Sequence, residues 1–451
     1  MFLFLPITFA GFFFLGHRGK KSWATLWLVL ASFFFYGYWD IRYVPLLFAS
    51  ICFNYLVGHQ LEDNNGHKGW LIFGIVINTL LLGYFKYTDF FLSTVNDITG
   101  ETIFDLPHIV LPLGISFFTF TQTAYLVDAF RGEAKNQSFV TYCEFVTIFP
   151  HLIAGPIINH KDMIPQFLAD KTFRITYENI ALGLTIFAFG LFKKVVIADK
   201  LAIYANEAFS HVDSLTCAEA WVGALSYTLQ LYFDFSGYSE MAIGLALLFN
   251  LKMPVNFNSP YQARSIIDFW RRWHMTLGLW VKNYLYIPMG GNRHGEMNKM
   301  RNLFISMLII GLWHGAGWTF VVWGGMHGLL LMINHTWRKT GIVFPKIFNW
   351  SLTFLCVVIC WVFFRAENVS EAMLVLSNML DWQTISYANS DSIKHLVAIT
   401  TGVMLLTIVP NPLIMIKNFN GNNKWLLATA IMLIWAIWHL NNYSEFLYFQ
   451  F

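Results

Sequence analysis

The sequence predicts an all-α, polytopic integral membrane protein with about 10–12 spanning helices, plus re-entrant and interfacial helices between them. Three observations predict it. The chain of 451 residues is 56% hydrophobic and only 12% charged, about half the charge of an ordinary soluble protein, and its mean hydropathy is +0.51. Apolar runs long enough to cross a bilayer recur at 22–38, 43–58, 70–88, 108–127, 180–198, 220–235, 238–251, 350–364, 395–410 and 424–440. The alternating apolar and polar strands of a membrane barrel are absent. No linker, low-complexity tract or internal repeat divides the chain, so residues 1–451 read as one membrane-embedded domain.

Taken in order, the first run, MFLFLPITFAGFFFLG, precedes the basic cluster His17-Arg18-Gly19-Lys20-Lys21. A secretory signal has the opposite order, so this is a retained membrane segment with a cytoplasmic loop after it. From Tyr87 to Phe130 there is no Lys or Arg, whereas Asp89, Asp97, Glu101 and Asp105 gather there. That loop is expected on the extracytoplasmic side. The basic stretch from Lys161 to Arg174 returns to the cytoplasm. Between them, residues 141–158 carry Pro150 and Gly155-Pro156, which would break a spanning helix. A re-entrant piece is expected there.

Composition also excludes function classes. A formal net charge of +3 gives no case for nucleic acid. Five scattered cysteines, with no CxxC pair, imply neither a disulfide framework nor a zinc site. Cys356 and Cys360 share one helix face inside an apolar run and read as packing residues. The chain contains no HExxH motif, no GxSxG elbow, no Walker loop and no dinucleotide fingerprint.

The stretch 303–334, LFISMLIIGLWHGAGWTFVVWGGMHGLLLMIN, is the most informative. It holds no charged residue but two histidines, His314 and His327. At about 1.5 Å per residue a single helix of this length would far exceed the roughly 30 Å hydrocarbon core. It should therefore turn, and Gly311, Gly315 and Gly317 mark the place. Broken backbone at membrane depth persists only where it is buried in protein or lines a cavity, which puts His314 in a cavity. An ionisable group there is a functional-site hypothesis. The glycines would also let a substrate approach the backbone closely. An imidazole that titrates near neutrality suits a general base that deprotonates an alcohol.

Residues 266–286, IIDFWRRWHMTLGLWVKNYLY, read as one amphipathic helix at the cytoplasmic interface, with a Trp-rich face and a cationic face. His274 falls on the apolar side and should point into protein. Arg271 and Arg272 lie on the other face, and Arg293 follows in the turn PMGGNR. With Arg264, Lys282, Lys299 and Arg301 they form a basic cluster. Its functional reading is docking of a polyanionic thioester donor's phosphates; its ordinary reading is positive-inside bias. For His327 and His151 a helix-bridging hydrogen bond is the expected role. Asp234, in an aromatic stretch, should pair with a buried Arg or His.

These motifs resemble the membrane-bound O-acyltransferases (MBOAT family), close to the bacterial alginate O-acetyltransferase membrane subunits. The resemblance rests on WRRWHMTLGLW and NYLYIPMGGNR, then GLWHGAGWTFVVWGGMHG. LGYFKY, LPLGISFFTF, FPHLIAGPI, LYFDFSGYSEMAIGLALLF, YQARSIIDFWRRWH, WVFFRAEN and the terminal FLYFQF extend it over nearly the whole chain. The resemblance implies a ring of helices around a central catalytic funnel. It implies catalysis by His314 of GLWHG, with His274 as the second family histidine. His274 would orient the donor or help hold the oxyanion, aided by backbone N–H groups at Gly315 to Gly317.

The implied reaction passes an acyl group, usually acetyl, from a cytoplasmic donor toward hydroxyls of an extracytoplasmic polysaccharide such as alginate. Acetyl-CoA is the implied donor, no cofactor is permanently bound, and periplasmic partner proteins complete the transfer. The setting would be a bacterial inner membrane. Acylation of peptidoglycan or teichoic acid is the alternative within the class, and a proton-coupled transporter the alternative outside it. A transporter would pair its histidines with buried carboxylates, which 303–334 lacks. Family members carry Arg-Asp before Tyr-Leu-Tyr-Ile. Here Lys282-Asn283 precede Tyr284, so the second position is given no catalytic role. Family members also begin a few residues earlier, which would place the natural start upstream.

Overall fold

The structure is a computed structural model that describes residues 3–63, 67–134, 137–387, 390–409, 411, 419–440 and 447. Most of the terminal FLYFQF motif lies outside these residues. Among those described there is no β-strand. This follows from the sequence: long apolar segments in a bilayer must satisfy every backbone polar group internally, and a helix does so within one segment. The chain forms α1 (Phe4–His17), α2 (Lys21–Trp39), α3 (Val44–Asp63), α4 (Lys68–Leu82), α5 (Thr88–Thr99) and α6 (Ile115–Phe130). Short helices α7 (Phe139–Thr147), α8 (Phe149–Leu152) and α9 (His160–Leu168) follow, then α10 (Tyr177–Phe192), α11 (Asp199–Ser210) and α12 (Cys217–Leu248). The remainder comprises α13 (Ile266–Trp270), α14 (Met275–Val281), α15 (Gly295–His314), α16 (Trp318–Trp337), α17 (Lys346–Arg365), α18 (Val369–Leu380), α19 (Ser390–Leu406) and α20 (Asn423–His439). Four helical stretches, Ile41–Glu62, Lys68–Thr99, Tyr177–Ser210 and Lys346–Arg365, are long and apolar enough to cross a membrane by themselves. The chain is an all-α, multi-pass membrane protein.

Two compact units divide these elements. The first holds residues 1–187 and 239–254. Its interior is zipped by polar pairs that a bilayer makes worthwhile: Asn54 and Asn78 exchange amide hydrogen bonds of 3.1 and 2.7 Å between α3 and α4. The expected re-entrant piece is broken as anticipated. α7 ends at Ile148, whose ψ of 116° leaves the helical region, and α8 begins with Pro150 in its first turn. His151 Nδ1 donates to the Pro156 carbonyl at 3.0 Å, a brace within this piece and not the helix-to-helix bridge expected of it.

The second unit holds residues 188–238 and 255–451 and carries both predicted histidines. Three sequence expectations are corrected in the structure. The run 220–235 and most of 238–251 belong to one 32-residue helix, α12, and Gly237 lies inside it, where a Cβ would stand 2.7 Å from the Gly190 carbonyl oxygen. The single amphipathic helix expected over 266–286 is three pieces: α13, α14 and a π-helical turn at Lys282–Tyr286. Asp234 pairs with a lysine, not with Arg or His. Lys194 Nζ lies 2.7 Å from Asp234 Oδ1 and 2.7 Å from Asp199 Oδ1. Asp234 also accepts from the backbone N–H of Leu447 at 3.3 Å.

Candidate active site

α15 and α16 form the hairpin that the glycines of 303–334 predicted. The link is only Gly315-Ala316-Gly317, and both glycines are extended, with φ of −156° and −166°. The helices touch backbone to backbone. A Cβ on Gly311 would lie 2.3 Å from the Phe320 carbonyl oxygen, and one on Gly324 would lie 2.5 Å from the Met307 carbonyl oxygen. Small residues at such crossings are how membrane helices approach closely. His314 is the last residue of α15, so the link presents its ring at the tip of the hairpin.

The glycine beside His314 makes room for a packed side chain. The Phe320 ring fills the space next to Gly315, 2.1 Å from where a Cβ would stand. Nor is the Gly315 N–H free for an oxyanion, since it bonds to the Gly311 carbonyl at 3.3 Å. His314 is 5% exposed. Its ring stands 5.0 Å from Trp313, 5.2 Å from Trp323 and 5.2 Å from Phe364, all edge to face.

His274 reaches the same place by a different device. Ser265 caps α13 by accepting from Asp268 N–H, and Asp268 Oδ1 accepts from Arg272 Nε at 2.8 Å. The chain then closes in tight turns, with Arg272 N–H on the Phe269 carbonyl. His274 itself has φ 43° and ψ 54°, the left-handed region, which a non-glycine residue adopts at a cost. An irregular neighbouring segment holds it there. The Asn256 carbonyl accepts from Met275 N–H at 2.9 Å. Asn256 Oδ1 lies 3.0 Å from His274 Nδ1, 3.3 Å from Thr276 N and 2.9 Å from Thr276 Oγ1. His274 is wholly buried, edge-on to Phe235 at 4.8 Å and 6.0 Å from Trp313. The His274 and His314 rings are 6.4 Å apart between centroids. His274 Nε2 has no hydrogen-bond partner among the described residues.

His327 lies deeper in α16 and accepts at Nδ1 from the Trp270 indole N–H, 3.2 Å away. It thereby bridges α13 and α16, the structural role expected of it. Arg271 and Arg293 are exposed. Arg272 is half-buried and occupied, with Nε on Asp268 and an Nη on the Asn258 carbonyl at 3.3 Å. Arg293 sits in a turn whose Gly290 and Gly291 need positive φ, 100° and 56°. Asn302 fastens that turn to α15 through the Met289 and Gly291 carbonyls. A cavity of about 510 Å³ in the same unit is lined by Tyr204, Glu207, His211, Glu219, Asp391 and His395, and by none of the predicted site residues. Among the described residues no group of His, Cys, Asp and Glu is arranged to hold a metal ion.

Comparison with known sequences places this chain in a membrane-embedded acyl-transfer class of protein. The model of the membrane-bound O-acyltransferase family matches residues 115–369, which include Asn256, His274 and His314. A peptidoglycan O-acetyltransferase of Helicobacter pylori is 43% identical over all of this chain and 96% of its own. A "Probable alginate O-acetylase AlgI" of Pseudomonas putida is 38% identical over all of this chain and 98% of its own. A teichoic acid D-alanyltransferase of Bacillus subtilis is 26% identical over 52% of this chain and 61% of its own. The chain belongs to the membrane-bound O-acyltransferase family and is an O-acyltransferase.

Reasoning from sequence missed Asn256, Trp323 and Phe364. The signal for Asn256 was faint: one of two asparagines, with Asn258, in an irregular stretch between Pro254 and Pro260.

Proposed function

We propose that this protein passes an acetyl group from acetyl-CoA on the cytoplasmic side toward hydroxyls of an extracytoplasmic polysaccharide, in a bacterial inner membrane. The observation that carries the reading is the buried His274–His314 pair, whose rings are 6.4 Å apart. His314 takes the proton of the acceptor hydroxyl. The oxygen attacks the thioester carbonyl carbon, the carbon–sulfur bond breaks, and the departing thiolate recovers the proton from the imidazolium. An O-acetyl ester and a free thiol result. The exposed Arg271 and Arg293, with Arg272 bracing the turn between them and His274, are the groups for the donor's phosphates. Periplasmic partner proteins complete delivery to the polymer.

Alginate is the first acceptor we propose, from the relatives named as alginate O-acetylases. Peptidoglycan is a second, supported by the Helicobacter relative, which this chain matches over 96% of its length. Proton-coupled transport has less support, because His274 and His327 bond to Asn256 and the Trp270 indole and not to carboxylates.

The test uses the full chain in lipid nanodiscs with radiolabelled acetyl-CoA and either mannuronate oligomers or peptidoglycan fragments. Base-labile acetate on one acceptor is the expected result. No thioester turnover with either acceptor or with a periplasmic extract, together with proton flux in proteoliposomes, would reverse the assignment.

A further inference from the structure

The polar contacts of His274 determine which of its ring nitrogens carries the proton. Thr276 N–H is a backbone donor and cannot accept. The Asn256 atom that faces it at 3.3 Å is therefore the amide oxygen, not the NH₂ group. The same oxygen lies 3.0 Å from His274 Nδ1. An oxygen acceptor there requires Nδ1 to be the donor. In the neutral ring, Nε2 then holds the lone pair.

That lone pair is in an unusual position. His274 is 0% exposed, and Nε2 finds no partner among the described residues. A buried acceptor left unmade is costly, and a catalytic role is one explanation of such an atom. The backbone at His274 is held in the left-handed region by Asn256, through the bonds to Met275 and Thr276. One residue thus braces this histidine twice: its main-chain carbonyl and its side chain hold the turn, and its side-chain oxygen sets the tautomer.

We propose that Asn256 is a positioning residue for acyl transfer, and that it makes His274 a hydrogen-bond acceptor toward the substrate. This rests on the acyl-transfer reading above. A neutral Nε2 with its lone pair outward has no hydrogen to give a tetrahedral oxyanion, so His274 does not hold that oxyanion. A thioester carbonyl and its sulfur have no hydrogen to give Nε2. At the reacting centre the group with a hydrogen to give is the O–H of the acyl acceptor, and this is the partner assigned to Nε2: His274 orients it while His314 removes the proton of the reacting hydroxyl.

Two measurements on the full chain in nanodiscs test this. In the first, the ring nitrogens of histidine are isotope-labelled and the His274 signals are isolated by difference from a His274→Gln sample. Wild type should show a protonated Nδ1 and a bare Nε2. A protonated Nε2 in the wild type overturns the proposal, whatever any variant does. The second compares Asn256→Ala with Asn256→Asp, whose carboxylate still accepts from Nδ1–H and Thr276 N–H. Asn256→Ala should lose about 10–100-fold in kcat, as when an orienting hydrogen bond to a reacting imidazole is removed, with the KM for acetyl-CoA changed less than about twofold. Asn256→Asp should regain most of the rate. Wild-type turnover by Asn256→Ala overturns the positioning role. If Asn256→Ala does not fold, the wild-type spectrum decides alone. If the wild type consumes no acetyl-CoA, the acyl-transfer reading falls, while the spectrum still judges the assignment to Asn256.

Discussion

The rings of His274 and His314 stand 6.4 Å apart with their planes inclined at 56°, one at the tip of the α15–α16 hairpin and the other at a left-handed turn between α13 and α14. The two get there by unrelated means, backbone contact between helices in one case and main-chain and side-chain bonds from Asn256 in the other. Removing either ring should therefore leave the other's support in place. We expect His314→Ala to lose about 10²–10⁴-fold in acetyl transfer, the range for a general base, with membrane insertion intact and a modest loss of thermal stability, because the ring packs on Trp313, Trp323 and Phe364. His274→Ala should lose less. Acetyl transfer by membranes carrying each variant, normalised to folded protein, checks both. Near-normal transfer by His314→Ala would remove it from the mechanism.

The basic cluster divides by what already occupies each guanidinium. Arg271→Gln and Arg293→Gln together should raise the KM for acetyl-CoA while leaving kcat nearly unchanged, since phosphate contacts bind ground and transition states alike. Added salt should weaken donor binding in the wild type more than in this double variant. Arg272→Gln should behave differently and reduce kcat as well, because Arg272 ties α13 to the turn at His274. Steady-state kinetics at two ionic strengths separates these outcomes, and unchanged KM in the double variant would reduce the cluster to lipid anchoring.

The hairpin should be intolerant of bulk at one glycine and tolerant at another. A Cβ on Gly311 would stand 2.3 Å from a backbone carbonyl oxygen, which cannot yield without parting the helices. Gly311→Ala should destabilise by about 1–3 kcal/mol, as overpacking does. A Cβ on Gly325 would meet only Leu308 Cδ2, at 3.7 Å, so Gly325→Ala should cost little. Thermal unfolding in detergent, followed by tryptophan fluorescence, compares them. Equal stability of the two variants would show that the helices do not pack this closely.

The buried charges around Lys194 predict an order of damage. Lys194 serves two carboxylates, each at 2.7 Å. Lys194→Ala takes the shared ammonium away from both Asp199 and Asp234, at a cost of about 3–5 kcal/mol. Asp234→Asn leaves one matched pair and should cost on the order of 1 kcal/mol. Expression level and thermal unfolding report the order. A more damaging Asp234→Asn would mean that the carboxylate's bond to Leu447 N–H dominates.

Much of this was legible along the chain, for definite reasons. The hairpin at 303–334 could be foreseen because an apolar stretch longer than the bilayer has to turn, and glycines were available at one place. His314 followed from that turn. His274 was expected to point inward and does, but for another reason: apolar spacing suggested one face of a continuous helix, whereas the helix stops before it. Helical periodicity in WRRWHMTLGLW could not reveal that stop, because what makes it is Asn256, distant in sequence. The partner of Asp234 was hidden in the same way. Lys194 lies on a π-helical turn at Lys193–Ala198, which re-aims the side chains beyond α10.

The sequence by itself determined that this chain lives in a membrane, that it is helical, where its longest apolar stretch turns, and, through its motifs, the family of enzymes to which it belongs. Each of these depends on composition and local spacing, which hydrophobic transfer and backbone hydrogen bonding convert directly into structure. Only the tertiary structure decided that two histidines share a buried aromatic box, that the Phe320 ring packs beside Gly315, and that His274 Nδ1 faces the Asn256 amide oxygen. These depend on contacts between residues far apart in the chain. A hydrogen bond to a particular amide oxygen has no periodicity by which a linear sequence could announce it.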